Sequence, residues 1–232
     1  MHPYSVPDHV RQRVLGRKGK PLSLEAIDCA RAALLVVDMQ NYFVAPGFPQ
    51  EVPVARAIVP AINRMAAAMR SAGGTVAWIQ TTATGALETW GNHHRYGMSP
   101  EVAARRLATL AEDAEGYRLW HALEPSPVDL RVKKIKFSAM LPGSSDLHET
   151  LSRRGVDTVL VAGTTTNVCC ESTARDAMML DYRVAMLSDA TAARSDEEHA
   201  ASLNTFHIFF GDVMTVDEAS ARLVPLVRAR TA

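Results

Sequence analysis

Short runs of uninterrupted apolar residues alternate along this chain with longer stretches in which apolar positions recur every three or four residues. AALLVVDMQ (32–40) predicts a buried strand that ends on an acid. Residues 53–72 carry helical spacing and stop at Gly73-Gly74. TVAWIQTT (75–82) predicts a second strand and VDLRVKKIKFSAM (128–140) a more polar third. DTVLVAG (157–163), YRVAMLSDA (182–190) and DVMTV (212–216) predict three more. Helices are expected over 99–112, over 144–155 with a capping Ser and a terminal Gly155, and from the fourth strand to about Leu180. Two further helices are expected over 195–209 and 217–230. Residues 1–30 mix Pro, Gly and charge without a period and read as an N-terminal arm, with 31–232 as a single domain. ATGALETWGNHHRYGMSP (83–100) is polar and too long for a turn, so it is expected to be a functional loop.

Strands that are apolar throughout, instead of alternating, must be buried on both faces, the mark of a parallel sheet covered by helices on each side. The expected fold class is therefore α/β, a three-layer α/β/α sandwich around a six-stranded, mainly parallel sheet. In such sheets ligands bind beyond the carboxyl ends of the strands.

Composition narrows the partners. Twenty-five basic residues balance twenty-five acidic ones, whereas nucleic acid and anionic membranes select for a basic excess, so neither is expected. No apolar run approaches the roughly 20 residues of a membrane span, and MHPYSVPDHVRQRVLGRKGKP lacks the apolar core of a secretory signal. Three cysteines, two of them adjacent, do not form a disulfide framework. A reducing cytoplasm is the expected setting.

The strand ends carry candidate chemistry. Asp38 closes the first strand, with Gln40 and Asn41 beside it. The third ends in KKIKFSAM, where alternation puts Lys134 and Lys136 on one face and Lys133 on the other. The fourth delivers GTTTNVCC into a helix start, whose free N–H groups and dipole favour a thiolate and can hold an oxyanion. The two thiols differ in what lies below them. Positions i+3, i+4, i+7 and i+8 from Cys170 are Thr173, Ala174, Ala177 and Met178, a mostly apolar stripe; from Cys169 they are Ser172, Thr173, Asp176 and Ala177. Adjacent helical residues point about 100° apart, so Cys170 suits the core and Cys169 a pocket. An Asp to take a thiol proton, a Lys to stabilise charge and a Cys to attack a carbonyl make a coherent set. Phe43, Gln80, Trp90 and Phe137 flank the same strand ends and, with Gln40, are candidate substrate contacts. Arg175 and Asp176 read as a structural or interface ion pair.

LLVVDMQNYF, KIKFSAM and GTTTNVCCESTARDAMMLDYRVAMLSDA, in that order, resemble the isochorismatase-like cysteine hydrolase superfamily over roughly residues 32–216. Within it the chain looks most like amidohydrolases of ureido and carbamoyl compounds, which share a TNVCVEST signature. The resemblance implies Asp38, Lys134 and Cys169 as a catalytic triad that needs no cofactor. It also implies a cis peptide between Thr164 and Thr165, with the N–H groups of Thr165 and Cys169 as the oxyanion hole. Its Val position falls on Cys170, and Met140 replaces its usual Phe. Nicotinamidases of the superfamily carry an Asp-x-His…His metal cluster after the second strand; none occurs here, and the adjacent His93 and His94 cannot easily present both rings to one ion, so no metal is expected. The implied reaction is cleavage of a C–N bond in a small amide or ureide by a homodimer or homotetramer. The alternatives are vinyl-ether hydrolysis of the isochorismatase type, in members that often lack the Cys, and a non-catalytic binding or assembly module.

Overall fold

The computed structural model describes residues 1–226. Helix α1 (Asp8–Lys18) and a two-residue strand β1 (Ile27–Asp28) precede the first long strand, β2 (Ala32–Val37). A single helical turn α2 (Asn41–Val44) and the long helix α3 (Ala55–Ser71) lead to β3 (Thr75–Thr81). Helices α4 (Ala86–Tyr96) and α5 (Pro100–Thr109) then precede β4 (Leu130–Lys134). After α6 (Leu147–Arg153), strand β5 (Thr158–Thr164) runs through a wide π-helical turn, Thr166–Cys170, into α7 (Glu171–Met179). The chain continues through β6 (Arg183–Ala192), α8 (Asp196–Phe209), β7 (Asp212–Met214), α9 (Val216–Ser220) and β8 (Leu223–Val224).

The main sheet has six strands in the order β4-β3-β2-β5-β6-β7, and every pairing is parallel. Both faces of the central strands are apolar, as a parallel sheet between helix layers requires. On β2, Ala32, Leu34 and Val36 meet α3 and α9, while Ala33, Leu35 and Val37 meet α6, α7 and α8. Each fully buried aliphatic side chain of this kind contributes about 1.5–3 kcal/mol. The chain leaves β2 toward β3 on one side and returns to β5 on the other, so the switch point lies beyond the carboxyl ends of β2 and β5.

Four elements differ from expectation. The first thirty residues contain a helix: Val10 and Val14, one turn apart, pack on Ile208 of α8. Asp212 fixes the same segment by accepting from Ser23 N, Leu24 N and Lys18 Nζ. Two apolar positions among charges are too few to register as a period. The stretch expected as a loop holds α4, whose backbone is broken at Trp90 (φ −139°, ψ 35°). The third strand ends at Lys134, well short of residue 140. The final helix stops at Ser220, and 223–224 instead pair in parallel with 27–28; the remainder of that expected helix beyond 226 lies outside the described residues.

Candidate active site

Asp38 follows β2 with φ of +52°, the left-handed region that Asp tolerates better than most side chains. Its N–H donates to Ile79 O, and the Thr164 hydroxyl donates to its carbonyl, so the ends of β2, β3 and β5 are tied together at this residue. Lys134, the last residue of β4, reaches across with its Nζ 2.8 Å from Asp38 Oδ2. The ammonium also donates to Thr81 Oγ1 (2.7 Å) and Lys136 O (3.2 Å). Thr81 in turn donates its hydroxyl (2.8 Å) and its N–H (3.1 Å) to Asp38 Oδ1. Asp38 Oδ1 is thus doubly held, while Oδ2 has the ammonium beside it and no directed hydrogen bond of the ladder type. Both side chains are essentially inaccessible to water. Of the other lysines, Lys133 points outward to Glu112.

Beyond β5, Gly163 has φ of +114° at a register shift against β6. A Cβ there would overlap the Val37 backbone, so only glycine lets β5 approach β2 this closely. The Thr164–Thr165 peptide is cis. The following turn is widened by an i to i+5 bond from Cys170 N–H to Thr165 O, a geometry common at functional sites. It directs the paired cysteines differently. Cys169 lies in a cavity wall, whereas Cys170 is fully buried with its Sγ 3.8 Å from Ala162 O.

Electrostatics at Cys169 run against the expected thiolate. Burial raises its pKa first, Lys134 opposes, and the charge of the nearby Asp38 carboxylate adds to the rise; the net is about 12. For Lys134, burial alone would lower the pKa, but the Asp38 carboxylate beside it outweighs burial and the net shift is upward. The resting arrangement is an ion pair beside a neutral thiol.

The cavity has a volume of about 210 Å³ and its wall includes Phe43, Phe137, Thr165, Cys169, Arg106 and Arg194. Phe43 and Phe137 thus stand in the same wall as Cys169. Gln40 and Gln80 do not: their amides are spent on backbone, Gln40 on Thr81 and Tyr117 and Gln80 on Tyr117. Trp90 stands one layer back, stacked on His93 at 3.8 Å and edge-on to Phe137 at 4.8 Å. Arg175 pairs with Glu171 and covers Phe210 at 4.1 Å, not with Asp176. Sequence reasoning missed Thr81, a neutral strand-former that bridges the ion pair, and both arginines. Arg194 bonds Gln50 Oε1 at 2.7 Å, and neither Arg106 nor Arg194 has a carboxylate at ion-pair distance among the described residues. Arg106 comes from α5 and Arg194 follows β6, far apart in sequence, and with Asp196, Glu197 and Glu198 just beyond Arg194 no local signal marked it as unpaired. Among the described residues no three His, Cys, Asp or Glu side chains converge as a metal site, and no helix is long and apolar enough to cross a membrane.

The switch-point cavity of this α/β fold is thus walled by Cys169, with the buried Asp38–Lys134 pair at the neighbouring strand ends. Residues 32–218 match the isochorismatase domain, and the chain belongs to the isochorismatase family. It is 34% identical to the ureidoacrylate amidohydrolase RutB of Variovorax paradoxus, over 95% of this chain and 91% of that protein. Among solved structures, a cysteine hydrolase from Pseudomonas syringae pv. phaseolicola superposes with a TM-score of 0.78 at 33% identity, covering 88% of this chain and 97% of that one. An isochorismatase-like hydrolase from Alkaliphilus metalliredigens gives 0.66 at 32%, covering 82% and 96%.

Proposed function

We propose that the chain is a cysteine amidohydrolase of small ureido or carbamoyl acids, with Asp38, Lys134 and Cys169 as its triad. The observation that carries this reading is the neutral thiol of Cys169 in the wall of a cavity at the strand ends that carry the buried Asp38–Lys134 pair; Arg106 and Arg194, neither in an ion pair among the described residues, line the same cavity with Glu198. Asp38 Oδ2 takes the thiol proton as Sγ bonds to the substrate carbonyl carbon, and the oxyanion lies against the N–H groups of Thr165 and Cys169. The C–N bond breaks as Asp38 passes that proton to the leaving nitrogen, giving an S-carbamoyl (thiocarbamate) intermediate, whose hydrolysis yields carbamic acid and thence carbon dioxide and ammonia. Water then gives a proton to Asp38 and its oxygen to the acyl carbon; the C–S bond breaks and the proton returns to sulfur. Lys134 keeps positive charge beside Asp38 throughout. Phe43 and Phe137 flank the acyl group, and Arg106 and Arg194 attract the substrate carboxylate.

The site works in the cytoplasm as a homodimer or homotetramer, which light scattering would register as a mass above the 25.2 kDa of one chain. The decisive test is a screen for ammonia release from ureido acids, carbamoyl amino acids and uncharged amides, run beside Cys169→Ala. Turnover of a ureido acid that vanishes in the variant is expected; undiminished turnover in the variant sinks the scheme. Pyruvate released from isochorismate, with no ammonia from any amide, would assign ether hydrolysis instead.

A further inference from the structure

The arm that precedes the sheet reaches the site. His2 is buried although it lies at the chain's beginning, and its ring is wedged between the end of β6 and the first turn of α8. Nδ1 lies 2.5 Å from Asp196 Oδ1, and Nε2 accepts the Ala193 N–H at 3.0 Å. Nε2 also lies 3.2 Å from Ala193 O, so one ring nitrogen faces both the N–H and the carbonyl of Ala193. The same ring stacks on His199, centroids 4.4 Å apart and planes 24° from parallel. Tyr4 closes the other side, edge-on to His199, with its hydroxyl donating to Asn204.

What His2 grips is part of the cavity wall. Arg194 follows Ala193 directly, and Glu198 lies two residues beyond Asp196; both line the cavity of Cys169. His199, under the stack, lies with Nδ1 2.9 Å from the Thr166 hydroxyl. Thr166 is the residue after Thr165. Burial, and then the nearness of His2, hold the His199 pKa down to about 4, so this ring stays neutral and serves as a hydrogen-bonding spacer. One imidazole therefore touches both the segment carrying the cavity's arginine and the support of the turn carrying the nucleophile.

We infer that His2 is a positioning residue for substrate recognition: by clamping Ala193 and Asp196 and stacking on His199, it holds Arg194 where the cavity needs its charge. The inference rests on the reading of the cavity as an anion-binding hydrolase site. The arm has other anchors, the Asp212 bonds and the Val10–Val14–Ile208 contact, so removing the ring need not release α1.

The test compares wild type, His2→Ala and His2→Gln, whose amide can both donate and accept in the same place. Two readouts are used: KM and kcat on a ureido acid, and the rates at which Cys169 is alkylated by anionic iodoacetate and neutral iodoacetamide, followed by peptide mass spectrometry. In His2→Ala, KM should rise about tenfold with a smaller change in kcat, since small misplacements of a binding group cost one to two powers of ten. The iodoacetate-to-iodoacetamide rate ratio should fall about threefold or more, because the anion alone is drawn by Arg194. His2→Gln should restore a large part of both. Wild-type KM and ratio in a folded His2→Ala overturn the proposal. An equal change with both reagents also overturns it, as it would report general loosening, and so does failure of both variants to fold, which would make His2 a folding residue. Should wild type hydrolyse no ureido acid, the proposed activity falls, yet the reagent ratio still decides the role of His2.

Discussion

Replacing Lys134 by Met tests the centre of the site because its consequence for stability can be worked out separately from its consequence for catalysis. The ammonium is fully buried, ion-paired with Asp38 Oδ2 and donating to Thr81 Oγ1 and Lys136 O. Met fills much the same volume, so the change is mainly electrical. It leaves the Asp38 carboxylate buried with only the Thr81 donors, and breaking a buried pair by removing one partner costs about 3–5 kcal/mol. For a chain of this length each kcal/mol moves the melting temperature by about 2–4 °C, so a fall of roughly 10 °C is expected at neutral pH. Asp38→Asn added to Lys134→Met removes the stranded charge and should recover much of the loss, while turnover stays absent in both variants. Thermal melts by circular dichroism, beside an ammonia assay, are sufficient. A single variant that melts within about 2 °C of wild type, or a double variant no more stable than the single, refutes the buried-pair reading.

The elevated thiol makes a pH prediction. Because the folded pKa of Cys169 is raised from 9.0 to about 12, its contribution to stability is fully present below pH 9.0 and is lost as pH rises through about 12. Cys169→Ala should flatten this alkaline limb, and alkylation of the wild-type thiol should keep accelerating above pH 9.0 instead of levelling there. Arg106→Met should raise KM for ureido acids by roughly tenfold, the scale of one charge-assisted contact of about 1.5 kcal/mol, and leave neutral amides unaffected; an equal change for both would deny Arg106 a role in anion binding. Gly163→Ala should fail to accumulate as folded protein or lose more than about 4 kcal/mol, an exceptional cost for one methyl group, because its Cβ has only the Val37 backbone to displace; denaturant titration measures it. Cys170→Val should change stability by less than about 1.5 kcal/mol and keep turnover, and loss of activity in a folded variant would contradict its placement in the core.

The central sheet was legible because burial on both faces leaves an unmistakable sequence mark. AALLVV and TVLVAGT are apolar at every position that meets a helix layer. The two cysteines were separable for a related reason, since the residues a turn below each report which way it points. Other features depend on partners that no local window contains. Residues 223–224 form a strand only because 27–28 lie alongside, and Val10 and Val14 gain meaning only from Ile208. Gln40 and Gln80 look like substrate ligands at strand ends, yet they satisfy carbonyls and N–H groups that the nearby loop would otherwise leave unpaired. Lys134 shows the limit most clearly. Alternation separates it from Lys133 but not from Lys136, and what distinguishes it is that the strand ends there, placing the ammonium opposite Asp38.

The charge arrangement also bears on how such a site avoids unwanted reactions. A lysine near a cysteine is usually read as a device for keeping thiolate at rest, and a thiolate is the form that oxidises and alkylates. Here Lys134 is engaged by Asp38, and burial, with the carboxylate's charge added, keeps the proton on sulfur. The nucleophile is therefore formed only when something repays the transfer to Asp38 Oδ2. A carbonyl carbon within bonding distance does so, because the negative charge then passes from sulfur to an oxygen facing backbone N–H groups. A small oxidant drifting into the cavity offers no such acceptor and meets a neutral thiol. In the proposed scheme Asp38 gates reactivity as well as serving as base, and the thiol of Asp38→Asn, freed of the neighbouring negative charge, should titrate below that of wild type in a variant expected to show no turnover.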